Sequence, residues 1–476
     1  KISDKELEER RDFRDRLTFT IDPIDAKDFD DALSFKKIGG ENYEIGIHIA
    51  DVSHYVIPGT ILDKEAYNRA TSIYLVDRVI PMLPEKLSNK ICSLRPNEEK
   101  LTFSSVFTFN EKGEIIESWF GRTVIESDYR FSYQEAQEII ESKSNIISKI
   151  NSLTQKEYKV DKEIVHAILT LDKIAKIKRK ERDNKGSINF NKKEVGFKLD
   201  EKMNPVEIIF KESKDANKLI EEFMLIANKK VAELFTNIKK QKYIYRVHDL
   251  PDNEKLKSLK HIVKSFGYHL DISSEKGISK SLNKLLEQVK GKKEQNLIES
   301  LTLRSMSKAE YSTNNIGHYG LAFINYTHFT SPIRRYPDVL VHRLLQDILD
   351  KKYGQYDRNL HKKASYCSDQ ENIAVKAERE SIKYMQIKYM QDKIGNSYKG
   401  IISGASEWGI YVEIEENKCE GMVYVRDIKD DKYFYNSEEQ SLVGKRTKKK
   451  YQLGDRIEIE VKKADLIKKH LDFIII

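Results

Sequence analysis

Residues 20–35, TIDPIDAKDFDDALSF, crowd five aspartates into ten positions and then return to an apolar strand pattern. Before them, Phe19 and Ile21 alternate with threonines; among and after them, Phe29, Leu33 and Phe35 share one parity. That period of two is the mark of a strand. Pro23 interrupts the extended run, so Asp22 and Asp28 stand at the two ends of a short loop whose ends can approach each other. Strand alternation places Asp31 on the face of Phe29, Leu33 and Phe35, and Asp30 on the opposite face with Ala32 and Ser34. Carboxylates about 5 Å apart repel by about 3 kcal/mol per pair at an effective dielectric near 20. Protonation or a cation relieves that repulsion. Hard divalent ions prefer oxygen ligands, and carboxylate clusters are how two-metal phosphodiester chemistry is built. Acidic loop residues are ordinarily solvated turn formers, but the apolar partners of Asp31 make a merely solvated carboxylate expensive. An EF-hand does not fit, because the glycine at the sixth loop position and the closing glutamate are missing.

The rest of the chain divides by texture. Residues 1–16 are a charged, helix-permissive lead-in, and residues 17–56 are strand-like, with Lys36–Asn42 and its Gly39-Gly40 pair as a hairpin connection. Mixed strands follow in LTFSSVFTFNEKGEI, and helical periodicity dominates from about 134 to 393, as in ANKLIEEFMLIANKKVAELF. Beyond Gly395 come short strands and glycine turns: YKGIISGASEWGIYVEI, EGMVYVRDI, YQLGDRIEIEVKKAD and HLDFIII. Five strands there predict a small OB-type barrel. The expected class is α+β: a large domain over 1–393, a mixed sheet packed with helices, followed by a barrel over 394–476. No internal repeat of fixed period occurs. No window approaches 18 uninterrupted apolar residues, so no membrane span is expected. Cys92, Cys367 and Cys419 lie far apart and fit a reduced compartment. The net charge of +8 coexists with 76 acidic residues and only slightly favours a polyanionic partner.

In THFTSPIRRYPDVLVHRLLQDIL, Thr330 or Ser331 is expected to cap a helix that begins at Pro332. Ile333, Leu340, Leu344 and Ile348 would line its buried stripe. Arg334 and Arg335 would sit in its first turn, where free N–H groups already favour an anion and an arginine can grip a phosphate bidentately. Glu378, within NIAVKAERESIKYM, is surrounded at helical spacing by Ala374, Ala377 and Ser381, so it needs a partner; an arginine is the bland choice.

TIDPIDAKDFDDAL followed by IGIHIADVSHYV resembles the signature of the ribonuclease II/R (RNB) family of 3′→5′ exoribonucleases. The resemblance continues through RATSIYLVDRVIPMLPEKLSNKICSLRP, DNKGSINF, KLIEEFMLIAN and RVHDLP to GHYGLAFINYTHFTSPIRRYPDVLVHR. It covers essentially the whole chain, with an S1 domain at 394–476, and the ribonuclease R branch is the closer one.

This resemblance implies that Asp22, Asp28 and Asp31 hold Mg²⁺, with Mn²⁺ able to substitute, and that Asp30 is indispensable for cleavage, either through the second ion or at the attacking water. Asp25 lies outside the set. The catalytic arginine maps to Arg334, with Arg335 close behind, and Glu378 falls near the scissile phosphate. Tyr133 and Tyr245 match a pair that stacks on the last bases. In the S1 barrel, Trp408 and Tyr411 are the base-stacking aromatics, with the lysines of KRTKKKY supplying charge nearby. The implied activity is processive, Mg²⁺-dependent degradation of single-stranded RNA 3′ ends to nucleoside 5′-monophosphates, by a cytoplasmic monomer with a deep basic channel ending at the aspartates. The rival is a non-catalytic RNA-binding protein of the same fold. A chain opening on Lys1 is expected to be processed or trimmed, and the cold-shock-type barrels and lysine-rich tail of bacterial relatives are expected to lie outside this sequence or to be lacking. His248-Asp249 has the form of an HD metal dipeptide, but the companion histidine spacing is wrong; His48, His248 and His318 are expected to be structural or RNA-contacting.

Overall fold

The computed structural model describes residues 2–188, 194–238, 242–292, 294–352, 358–437 and 440–476; Asn189 and Phe190, the end of the DNKGSINF motif, lie outside them. The framework is a seven-stranded mixed sheet. Its strands are β1 (Arg11–Asp12), β2 (Leu17–Asp22), β3 (Asp31–Lys37), β4 (Tyr43–Ala50), β5 (Glu99–Phe109), β6 (Ile115–Glu126) and β7 (Tyr129–Ser132), in the order β1-β6-β5-β4-β3-β2-β7. The outer pairs β1/β6 and β2/β7 are parallel, the rest antiparallel.

One face of the sheet is apolar across the strands: Phe19 lies opposite Leu33, Leu33 opposite Ile47, Ile45 opposite Phe107, and Ile49 opposite Phe103. Asp31 lies opposite Ile49, at the end of this apolar row, as its parity predicts. The other face is buried but polar. His48 bridges Ser34 (Nε2–Oγ 2.8 Å) and Ser104 (Nδ1–Oγ 2.7 Å), and hydroxyl contacts carry the chain on to Thr123 and Thr102. Every hydroxyl in this chain finds a partner, the condition for burying one. Gly46 is required here, because a Cβ would come within 2.4 Å of the His48 and Ser34 side chains. Burial pushes the His48 imidazole down to about 3, so it is neutral.

Helices α1 (Tyr133–Ser142), α2 (Lys162–Asn184), α3 (Asp215–Asn237), α4 (Tyr336–Leu349) and α5 (Leu360–Met390) surround the sheet. Phe223 of α3 packs edge-on against Phe109, while Phe329 and His342 pack on Phe103. Short two-stranded sheets interrupt the region expected to be helical, at 146–159, 194–211 and between Tyr245–His248 and Ala309–Ser312. Three further helices, Asn253–Ser265, Glu275–Val289 and Gln295–Ser305, build a second small core that also takes in Leu453.

The helix expected at Pro332 starts instead at Tyr336, with Pro337 in its first turn. Residues 334–336 pair with 70–72: Ser72 N–H donates to the Arg334 carbonyl (3.0 Å), Thr71 bridges Arg335, and Tyr336 N–H donates to the Ala70 carbonyl (2.9 Å). Those bonds use the backbone groups that an earlier helix start would need. Ile333, Leu340 and Ile348 are buried as expected, and Leu344 is partly so.

After α5 the chain forms a closed barrel from β8 (Ser397–Ser406), β9 (Gly409–Ile414), β10 (Glu420–Tyr424), β14 (Arg456–Asp465) and β15 (His470–Ile475), ordered β8-β9-β10-β15-β14. These are the five expected strands. A separate three-stranded sheet not read from the sequence, β11 (Tyr433–Asn436), β12 (Ser441–Gly444) and β13 (Lys450–Gln452), is inserted between β10 and β14. There is no linker at 394: Ile387 and Met390 of α5 belong to the barrel core. The three cysteines are free and buried. Among the described residues no helix is long and apolar enough to cross a membrane.

Asp51 ties the lead-in to the sheet. It is fully buried and accepts from Arg10 (2.8 Å), Arg122 (2.9 Å) and Ser53 (2.9 Å). Burial alone would raise its carboxyl, but the two guanidiniums outweigh that and hold it below the usual range. Asp51→Ala leaves two arginine charges without their shared partner and should cost about 3–5 kcal/mol. Asp12→Ala, at the half-exposed Arg14 pair, should cost under about 1 kcal/mol. Urea denaturation of the two variants measures both.

Candidate active site

Asp22 ends β2 and Asp31 opens β3, so the sheet itself fixes the two ends of the acidic loop. Ser93 Oγ staples the interior, accepting from Phe29 N–H (3.0 Å) and donating to the Lys27 carbonyl (2.8 Å). Arg130 donates to the carbonyls of Pro23 and Ile24 and lies over the Phe29 ring. The Asp30 carbonyl accepts from Ala50 N–H (2.9 Å), and its side chain turns toward the segment before α4. There Oδ1 accepts from Ile333 N–H (2.9 Å) and Oδ2 faces Arg334 Nε at 3.5 Å.

The four aspartates of the expected set lie within electrostatic reach of one another, Asp22 and Asp30 buried, Asp28 and Asp31 partly so. Burial, opposed by Arg334 and reinforced by Asp28 and Asp31, pushes the Asp30 carboxyl up to about 8. Asp22 and Asp31 are both raised, by burial first and then by repulsion, Asp31 feeling Asp22 and Asp22 feeling Asp30 and Asp28. Asp28 is raised by burial although it accepts from the Tyr74 hydroxyl. Asp22 Oδ2 is buried without a hydrogen-bond partner. An all-oxygen donor set with surplus negative charge and an orphaned buried oxygen fits a hard divalent cation. Among the described residues, however, no three His, Cys, Asp or Glu side chains are drawn together tightly enough to form a finished coordination site. The carboxylates are gathered but not closed around a point.

The two arginines differ. Arg334 is 41% exposed and donates to Ser331 Oγ (3.0 Å), leaving the rest of its guanidinium available to a ligand. Arg335 is turned inward onto Asp338 (2.7 Å), a fully buried carboxylate that also accepts from Ser331 N–H (2.8 Å). This corrects the expectation that both arginines face a phosphate from a helix N-terminus: the extended pairing at 334–336 sends consecutive side chains to opposite sides. Glu378 accepts from the backbone N–H of Tyr74 (3.1 Å) rather than from an arginine, and Ser381, next on the same face of α5, accepts from Val76 N–H (3.1 Å).

Tyr74 was not singled out in the sequence, yet it bonds Asp28 through its hydroxyl and Glu378 through its N–H. Its signal there, one aromatic in the alternating SIYL run, is that of any strand. Tyr133, the first residue of α1, is half-buried beside the aspartates; burial, then Asp31 and Asp22, push its phenol up. Tyr245 does not offer a stacking face. It is 7% exposed in the main core, its hydroxyl bonded to Thr236, because strand pairing with residues 309–312 turns it inward. His248 and His318 stack at 5.1 Å; His248 is tied to the Ser307 carbonyl and to Gly320 N–H, and burial keeps both rings neutral.

On the barrel, Trp408 is 68% and Tyr411 38% exposed, beside a groove of about 300 Å³ shared with Tyr424, His470 and Lys383 of α5. A larger cavity, about 1170 Å³, lies between the helical part and the barrel, with Arg304, Lys308, Arg379 and His318 on its wall. None of Asp22, Asp28, Asp30 and Asp31 lines it, so it is not the expected channel ending at them. The KRTKKKY lysines sit on the inserted sheet and its turn, and none borders the Trp408 groove.

Comparison with known proteins gives a consistent set. The RNB domain matches residues 10–351 and the S1 RNA binding domain matches residues 391–475. Ribonuclease R of Aquifex aeolicus is 39% identical over 475 residues, covering 99% of this chain and 66% of the relative. Ribonuclease R of Escherichia coli is 33% identical over 479 residues, covering 98% and 57%. The structure of Mycoplasma genitalium RNase R in complex with ribose methylated single-stranded RNA superposes with a TM-score of 0.91 at 30% identity, over 100% of this chain and 73% of that one. The chain thus spans 57% to 66% of the length of these two curated relatives.

A raised folded-state pKa means stability that is present below the unfolded value of 3.8 and lost as pH rises toward about 8. In EDTA, Asp30→Asn should therefore melt higher than the parent at pH 9, by about 1 °C for each kcal/mol relieved in a chain of this length. The gap should close toward pH 4, as read by calorimetry.

Proposed function

The chain belongs to the RNB family, with an S1 domain following its catalytic part, and from that premise we propose that it is a processive 3′→5′ exoribonuclease. It hydrolyses single-stranded RNA to nucleoside 5′-monophosphates with Mg²⁺, or Mn²⁺ in its place, and works as a cytoplasmic monomer in RNA decay, processing and quality control. One observation carries this reading: four carboxylates feel one another's charge, with Arg334 as the near cation of three of them and an unpartnered buried oxygen on Asp22.

Asp22, Asp28 and Asp31, with Asp30, would hold the divalent ions, which supply Lewis acidity toward water and phosphate oxygens in two-ion hydrolysis. Asp30 is the best fixed of the four, and its bond from Ile333 N–H orients the carboxylate beside Arg334. Arg334 stabilises the charge that grows on the phosphate as the bond breaks. Glu378 acts through Tyr74, whose hydroxyl orients Asp28. Tyr133 borders the pocket where a terminal base would lie. Trp408 and Tyr411 hold the strand further from its end, each stacked base being worth roughly 1–3 kcal/mol regardless of sequence.

Incubation with 5′-labelled single-stranded RNA, in Mg²⁺ and then in EDTA, tests the reading. Stepwise shortening to mononucleotides is expected only with the metal. Loss of all shortening would favour the non-catalytic RNA binder, and early internal fragments would indicate endonuclease action. Arg334→Ala should lower the single-turnover rate by about 10²–10³-fold. Asp30→Asn should abolish hydrolysis while RNA affinity stays within about twofold, because a neutral amide of the same shape leaves the RNA-contacting surface in place.

A further inference from the structure

The three-stranded sheet β11–β13 has two unlike faces. Tyr433, Leu442 and Tyr451 point inward and are buried in the barrel core. The register sets Phe434 opposite Val443 and Val443 opposite Lys450, so these three form a row across the outer face. Lys432 and Lys445 form the next row, joined through the backbone bond from Lys445 N–H to the Lys432 carbonyl (2.8 Å). Phe434 is 55% exposed, and all three lysines are exposed.

Like charges directly opposite on adjacent strands work against the sheet. Among the described residues no carboxylate pairs with Lys432 or Lys445. The nearest acids are engaged elsewhere: Asp430 accepts from Tyr433 and Lys449, and Asp431 from the backbone N–H groups of Arg446 and Thr447. A large aromatic ring standing among lysines has two things single-stranded nucleic acid uses, a π face for a base and cations for the phosphates on either side. An acidic polypeptide would satisfy the lysines but not account for the ring.

We propose that the outer face of β11–β13 is a second contact for single-stranded RNA, separate from the Trp408–Tyr411 groove, holding a stretch of the strand further from its 3′ end. The inference rests on the RNA-degrading function proposed above. Fluorescence anisotropy of the full chain in EDTA, with a 5′-labelled oligo(U) of about 25 nucleotides, tests it. Phe434→Ala combined with Lys432→Ser and Lys445→Ser should weaken binding about tenfold. It should also lower the slope of log affinity against log salt by about 1.4, or 0.7 for each lost phosphate contact. Phe434→Trp should keep the affinity. A circular-dichroism melt checks that the barrel is intact, and if the triple variant melts early, the salt slope of the two-lysine variant decides. Unchanged affinity and slope would overturn this contact alone. Competition by polyglutamate as strong as by unlabelled RNA would reassign the face to an acidic polypeptide and overturn it too. Failure of the unaltered protein to bind the oligonucleotide would overturn the RNA-degrading reading, and this contact with it.

Discussion

Like charge held in a low-dielectric pocket is the constraint around which this fold is arranged. Four carboxylates sit at one end of a sheet whose other residues could form an ordinary core. Nearly every irregular feature nearby can be traced to keeping them in place. Ser93 and Arg130 satisfy the loop's backbone groups, Ile333 N–H fixes Asp30, and Tyr74 answers Asp28. The pairing of 334–336 with 70–72 delays the start of α4 and thereby delivers Arg334 to the pocket. Arg334 and Arg130 offset only part of the resulting repulsion. Under the proposed function a bound divalent cation would relieve that repulsion.

Much of the architecture was legible because it follows from period and parity. The alternation around Leu33 placed β2 to β4, and the parity of Asp31 placed that residue on the apolar face. The glycine-rich texture after Gly395 gave the five barrel strands. That the acidic loop folds back on the sheet was legible from the parity of Asp31 and the short loop between Asp22 and Asp28, whereas the choice of four of the five aspartates came from the family resemblance. What escaped depended on partners distant in sequence. The true start of α4 is decided by residues 70–72, more than 200 positions away, which no local capping signal reports. Tyr245 looks like an aromatic available for stacking until its strand partner turns it inward. Tyr74 shows the reverse: nothing around it in sequence is unusual, and its importance comes only from meeting Asp28 and Glu378. The inserted sheet was hidden by brevity, since strands of three or four residues beside a lysine run read as a solvated loop.

The buried polar face of the sheet shows a second way of handling polarity. Where the aspartates are left short of partners, the Ser34–His48–Ser104 chain is fully paired and its imidazole is held neutral. The two clusters differ within a few strands: the serine–histidine chain is fully paired, while the aspartates keep raised carboxyls and an unpartnered oxygen on Asp22.

Helix α5 runs for 31 residues, roughly 46 Å at 1.5 Å per residue. It presents Glu378 to the site at mid-length and buries Ile387 and Met390 in the barrel. One continuous helix therefore reaches from the carboxylate site into the barrel core. Under the proposed function, a strand held by the barrel would lie one helix length away from the carboxylates, with α5 as the spacer between them.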